Sequence, residues 1–313
     1  MRVVSLEIND EALKYLQSVK KLHLSGGAKP TFTPSFLIYG NEKGVGKTFN
    51  TLKTFPGSIL CLSYDGQSEI ILYDMAKHDP SILDRIKVID FYAWEDPRVT
   101  ESSLQGDART IENSKCIIET TLKLANSIKA DWIMIDGVPM LNQRVNEYVR
   151  AVRGITNLQQ SLIGSDMIGW QARGKFYDDL LRAMLKNSYI GPLATTYAKT
   201  IASEVFKKES KTPEWRSWFE WSLRNIIYLE KDKSERRFYA VLESLKGFTD
   251  LGQEGDKIDV TGWKPIFNPD ALMSYKKGNP FRKVEEPKID PPIPPTQTDN
   301  GTADTVGDLL DDL

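Results

Sequence analysis

Cysteine and histidine are scarce in this chain, with two of each in 313 residues. That scarcity excludes a disulfide framework and a Cys/His zinc site of ordinary type. Cys61 and Cys116 sit in apolar stretches and read as small buried hydrophobes. No apolar run reaches the roughly 18 residues of a membrane span, and no charged-then-apolar leader is visible. A soluble, cytoplasmic protein with no membrane partner is therefore expected. Internal repeats are also lacking. What the chain does have is 40% hydrophobic residues over its 313 positions, enough for one sizeable α/β core; a second full domain would leave both halves thin.

Charge is divided unevenly. Residues 284–313 carry eight acids against Lys288 alone, a net −7, and the whole chain is −2, which leaves +5 on residues 1–283. The acidic end also contains Asp290-Pro291-Pro292-Ile293-Pro294-Pro295, which cannot form a packed core and reads as an extended or disordered arm. A mildly basic body with an acidic tail is a recurring arrangement in proteins that handle nucleic acid. The last residues, Asp308 to Leu313, are apolar and acidic together and fit a docking tip for a partner protein.

The most informative stretch is Phe36-Leu37-Ile38-Tyr39-Gly40-Asn41-Glu42-Lys43-Gly44-Val45-Gly46-Lys47-Thr48-Phe49. It reads as an apolar strand, a glycine-rich turn and a helix start, the sequence of a phosphate cradle. Backbone N–H groups would face the β- and γ-phosphates, Lys47 would place its ammonium on them, and the Thr48 hydroxyl would ligate Mg²⁺. The loop departs from G-x-x-x-x-G-K-[ST] at one place: Asn41 holds the first glycine position. Asn is the non-glycine residue that best tolerates a left-handed backbone. The residues assigned to nucleotide are Asn41, Gly44, Val45, Gly46, Lys47, Thr48 and Phe49.

A second buried strand, Trp132-Ile133-Met134-Ile135-Asp136, ends in a carboxylate after a helical stretch from Cys116 to Ile128. Short continuous apolar runs of this kind suit the centre of a parallel sheet. Asp136 is then the Walker-B acid, holding Mg²⁺ through its water shell. Between the two lies Ile59-Leu60-Cys61-Leu62-Ser63-Tyr64-Asp65-Gly66, a third strand ending in an acid.

A strand followed by acid-Gly after a short P-loop helix resembles the RecA-like ATPases. Within them the chain is most similar to phage-type nucleotide-binding proteins of the AAA domain class, some of which are RecA-core single-strand annealing or recombination proteins. The resemblance spans about residues 34–265 and rests also on Thr54-Phe55-Pro56-Gly57 and on a later strand, Gly191-Pro192-Leu193-Ala194-Thr195-Thr196. It implies that Asp65 is the water-activating base, with Glu69 in reserve, and that Lys47 is catalytic as well as binding. It implies an α/β fold: a RecA-like P-loop NTPase core (34–270) with a mostly parallel central sheet and a C-terminal hairpin, an N-terminal strand–helix appendage (1–33), and a linker with a disordered acidic tail (271–313). The implied activity is ATP binding and hydrolysis with Mg²⁺, acting on single-stranded DNA in recombination or replication of a prokaryotic cell or phage-infected host, by a homo-oligomer.

Two segments are candidates for DNA contact: 142–173, with Arg144, Arg150, Arg153 and Arg173, and the stretch after Thr196. There Lys199, Lys207, Lys208, Lys211 and Arg216 interleave with Phe206, Trp215, Trp218, Phe219 and Trp221. Cations track phosphates and aromatic faces stack bases, although those aromatics also fall at the spacing of a buried helix stripe. A hairpin of Asn225–Leu229 and Phe238–Leu242 follows, with Arg224, Arg236, Arg237 and Lys246 as candidates to complete a neighbour's γ-phosphate site. A GTPase is disfavoured because Asp136-Gly137-Val138-Pro139 is not D-x-x-G. The rival readings are a nucleotide-gated binding module with little hydrolysis and a small-substrate kinase.

Overall fold

The computed structural model describes residues 33–41, 44–160, 162, 167–203, 208–214, 223–246, 248 and 250–276. The expected strand Val3–Ile8 and helix Glu11–Leu24, residues Phe206, Lys207, Trp215, Arg216, Trp218, Phe219 and Trp221, and the acidic tail lie outside them. Contacts divide the chain into one unit of Met1–Lys277 and another of Gly278–Leu313; the first is described below.

Nine strands are described: β1 (Phe36–Gly40), β2 (Ile59–Ser63), β3 (Ile86–Asp90), β4 (Ala130–Asp136), β5 (Ser188–Ser203), β6 (Lys208–Pro213), β7 (Asn225–Asp232), β8 (Arg237–Leu245) and β9 (Lys257–Asp259). Eight of them form a sheet in the order β3-β2-β4-β5-β1-β7-β8-β9. From β3 to β7 every pairing is parallel, while β8 and β9 continue the edge antiparallel. The fold is thus α/β with a mostly parallel, mixed sheet. β5 pairs with β4 and β1 through its first part, then runs on and turns back as an antiparallel hairpin with β6.

The helices are α1 (Lys47–Thr54), α2 (Ser68–His78), α3 (Ile82–Arg85), α4 (Pro97–Thr100), α5 (Gly106–Ser127), α6 (Val138–Val152), α7 (Met167–Asn187) and α8 (Pro269–Met273). Among the described residues none is long and apolar enough to cross a membrane. The central strands are apolar without interruption because both their faces are covered. Alternate side chains go to opposite layers. Phe36, Ile38, Cys61, Trp132 and Met134 join α1, α2 and the C-terminal segment in one core. Leu37, Leu60, Leu62, Ile133 and Ile135 join α5, α6 and α7 in the other. Both cysteines are buried and free, as expected.

Two local features hold the front of the sheet in register. Trp132 is fully buried against Phe36 and Phe55, and its Nε1 donates to Pro56 O at 2.8 Å. Gly191 is required by close approach, since a Cβ there would stand 1.7 Å from Pro34 O. At the rear of α1, the Arg85 guanidinium donates to the carbonyls of Leu52, Lys53, Phe55 and Gly57 at 2.6–3.3 Å, satisfying groups that a helix C-terminus leaves open.

Several expectations are corrected. Residues 93–107, polar and carrying Pro97 and Gly106, read in sequence as a loop but contain α4, begun by Pro97 and capped by Asp96, whose carboxylate accepts from Arg98 N at 2.9 Å. The helix expected from Cys116 starts at Gly106; its first turns hold Ile111 as their one large apolar residue and so carry little apolar periodicity. The 142–173 segment, a candidate for DNA contact, lies mostly in α6 and α7, and three of its arginines are engaged within the fold. Arg144 pairs with Glu147 at 3.2 Å, Arg150 donates to Leu158 O and Gln160 O, and the buried Arg173 donates to Asn146. The hairpin is longer than expected and gains a third strand, β9. Past residue 270 the chain is still packed: Leu272 is buried and Tyr275 bonds Asp250.

Candidate functional site

The carboxyl ends of β1, β2, β4 and β5 meet in one crevice, where open parallel sheets place their ligands. β1 delivers the glycine loop. Gly44 and Gly46 take φ of 87° and 81°, left-handed values that favour glycine. Asn41 is exposed and stays out of the left-handed region, so the missing first glycine costs this loop nothing. Gly46 is the N-cap of α1, so Lys47 and Thr48 open the helix at its positive end.

β4 delivers Asp136, fully buried at the strand's last position. Thr48 Oγ1 donates to its two carboxylate oxygens at 2.9 and 3.1 Å, joining two segments 88 residues apart. Ser68 Oγ, from the start of α2, donates at 2.5 Å. Thr195 of β5 donates to the other side of the carboxylate and accepts from Gly137 N at 3.3 Å. Burial, and then the neighbouring Asp65 charge, push the Asp136 carboxyl up to about 6, with the three hydroxyls pulling the other way.

Asp65 follows β2 and lines the crevice half-exposed. One carboxylate oxygen accepts from Gln67 N at 3.1 Å, a local Asx turn, and the other accepts from Tyr197 OH at 3.5 Å. Tyr197 stands on β5 immediately before the hairpin. Its ring lies 4.5 Å from Lys47 Nζ, and burial with the Asp65 charge raises its phenol to about 12. Lys47 is itself mostly buried; burial lowers the ammonium's pKa, and Asp136 and Asp65 oppose that shift.

The structure therefore brings together Gly44, Gly46, Lys47, Thr48, Phe49, Asp65 and Asp136 around one crevice. Val45 is buried beneath the loop, and Glu69 lies exposed in the first turn of α2, outside the crevice lining. Sequence reasoning missed Ser68, Thr195 and Tyr197. The only available signal was polar residues closing an apolar strand, Thr195-Thr196-Tyr197, and a serine three residues after Asp65.

Among the described residues no group of three or more His, Cys, Asp or Glu is set to hold a metal. Mg²⁺ does not need one, since it keeps several waters and is bound by one or two protein oxygens plus phosphate oxygens. A buried carboxylate with a threonine hydroxyl beside a glycine cradle is a donor set that fits it. No family model matches the chain, and no curated protein matches it either.

Proposed function

We propose that this protein is a RecA-like P-loop ATPase that binds ATP with Mg²⁺ and couples slow hydrolysis to the handling of single-stranded DNA. The observation that carries the reading is the Thr48–Asp136 contact at 2.9 Å, beneath two left-handed glycines and beside Lys47. The order of the sheet also supports it: the later strand quoted in the resemblance, Gly191–Thr196, lies within β5, between the strands that end in the glycine loop and in Asp136.

In this reading the loop amides and Lys47 take the phosphates, and Thr48 and Asp136 hold Mg²⁺. The ion would neutralise charge on the β- and γ-phosphates. Asp65 orients the attacking water and takes its proton. Both of its oxygens are already engaged, one by Gln67 N and one by Tyr197 OH. Tyr197 OH competes with the attacking water for one of these oxygens, which favours slow hydrolysis.

Support for DNA handling comes from the connection between site and hairpin. Glu214 N donates to Tyr197 O at 2.7 Å, and Thr196 Oγ1 donates to Glu214 O at 2.6 Å, so both legs of the β5–β6 hairpin close directly above the site. That hairpin carries Lys199, Lys208 and Lys211, cations suited to a phosphate backbone. The test is ATP hydrolysis at millimolar Mg²⁺ with and without single-stranded DNA. Hydrolysis stimulated by DNA and absent in Lys47→Ala is expected. Hydrolysis that ignores DNA would remove the DNA half of the proposal, and no Lys47-dependent ATP binding would remove the whole.

A further inference from the structure

The C-terminal segment after β9 returns to the glycine loop. Val260-Thr261-Gly262-Trp263 is a tight turn in which Trp263 N donates to Val260 O at 3.0 Å and Trp263 itself takes φ 64°. A bulky residue in the left-handed region is uncommon and persists only where its surroundings over-determine it. The surroundings here belong to the loop. A Cβ built on Gly46 would stand 2.5 Å from Trp263 Cζ3 and 2.9 Å from Cη2, so the indole edge rests on the glycine backbone. The ring also packs on Phe49 at 4.2 Å between centroids and on Phe238 of β8 at 5.7 Å. One residue further on, Lys264 O accepts from Asn50 Nδ2 of α1 at 3.5 Å.

We propose that Trp263 is a positioning residue for the phosphate loop. Its indole, backed by Phe238, braces Gly46 and Phe49, and so fixes the loop in the shape that presents its amides to the phosphates of a nucleoside triphosphate. The loop needs such a brace. Two of its residues are glycines in left-handed conformation, with the largest backbone freedom to lose on ordering. Among the described residues nothing lies within 4 Å of a Cβ built on Gly44, whereas Gly46 is covered. The bracing of the glycine that caps α1 therefore comes from a segment over 200 residues away in sequence, at the far edge of the antiparallel extension. Preorganised donors bind a ligand more tightly because less ordering is left to be done on binding.

The phosphate part of this inference rests on the nucleotide reading above, and the experiment separates the two. Full-length parent, Trp263→Ala, Trp263→Phe and Lys47→Ala proteins are compared in two measurements: amide hydrogen exchange without nucleotide, and Mg·ATP affinity. In Trp263→Ala the backbone amide of Asn50, which donates to Gly46 O at 2.7 Å, is expected to exchange about tenfold faster while those of 132–136 keep the parent rate. Mg·ATP affinity is expected to fall roughly tenfold, with Trp263→Phe restoring both quantities to within about threefold of the parent. Unchanged exchange at Asn50 in Trp263→Ala overturns the brace whatever the affinity shows. Equal acceleration at 132–136 overturns it too, since that is general destabilisation. A parent that binds no nucleotide defeats the nucleotide reading, and the exchange measurement still decides the brace.

Discussion

The two carboxylates at the carboxyl end of the sheet are the same residue type one strand apart, and the fold treats them in opposite ways. Asp136 closes β4 with no exposure and three hydroxyl donors. Asp65, just beyond β2, remains half-exposed and is held by a backbone amide and a tyrosine. Burial penalises charge in the first and leaves solvent access to the second. A buried carboxylate ringed by donors is suited to holding a cation in place, and an accessible one beside a phenol is suited to handling a water. Under the proposed function, that difference would assign binding to one carboxylate and turnover to the other.

Removing the cation that faces both carboxylates should have the largest effect: Lys47→Ala is expected to weaken Mg·ATP binding by about a hundredfold or more, as the loss of a charge-assisted phosphate contact implies. Equilibrium binding at millimolar Mg²⁺ reads it, and undiminished affinity would break the P-loop assignment. The next effect sharpens the division directly. Asp65→Asn should lower kcat by roughly a hundredfold while ATP affinity stays within about threefold. Glu69→Gln, altering a side chain outside the crevice, should turn over at the parent rate; the reverse pattern would transfer the role to Glu69.

Asp136→Asn should show the opposite face of the comparison, losing Mg²⁺-dependent hydrolysis yet gaining stability on the ligand-free parent as pH rises. The carboxyl is raised from 3.8 to about 6 by burial. The unfolded chain therefore ionises first, and the folded state loses stability as pH rises from about 4 to about 6 and stays penalised above. The neutral amide escapes that penalty but its nitrogen cannot accept from the hydroxyls around it, so nucleotide-free Asp136→Asn should gain on the parent by up to about 3 kcal/mol between pH 4 and pH 8, against a pH-independent cost for the lost acceptor. Denaturant melts at pH 4 and 8 check the sign; a gain at pH 4 as large as at pH 8 would break it. The smallest effect belongs to Tyr197→Phe, which frees Asp65 of one partner and should change kcat only about two- to fivefold, upward, with the ring over Lys47 retained. A fall in kcat would mean that the hydroxyl assists the chemistry.

Much of the site was legible in the sequence because its parts are local. Gly44, Gly46, Lys47 and Thr48 are a loop and a helix start, and Asp65 and Asp136 each end an apolar run, so strand chemistry alone located them. The contacts between segments were not legible. Nothing near Ser68 or Thr195 in sequence announces that both donate to Asp136, and Trp263 reaches Gly46 across an antiparallel edge whose last strand has only three residues. Among the arginines of α6 and α7, Arg144 has its partner Glu147 one turn along the same helix, a pairing the sequence could have offered, whereas Arg173 reaches Asn146 only because α7 packs beside α6.

Cys61 gives this site a built-in clock. It lies fully buried in β2, its sulfur 3.6 Å from the Ser68 hydroxyl that donates to Asp136, and its thiol is held well above the usual range by that burial. A thiol reagent can reach it only when the layer around the acid opens, so the labelling rate counts openings of the crevice floor. Any ligand that tightens the Thr48–Asp136–Ser68 knot should slow that clock, even one that is never turned over.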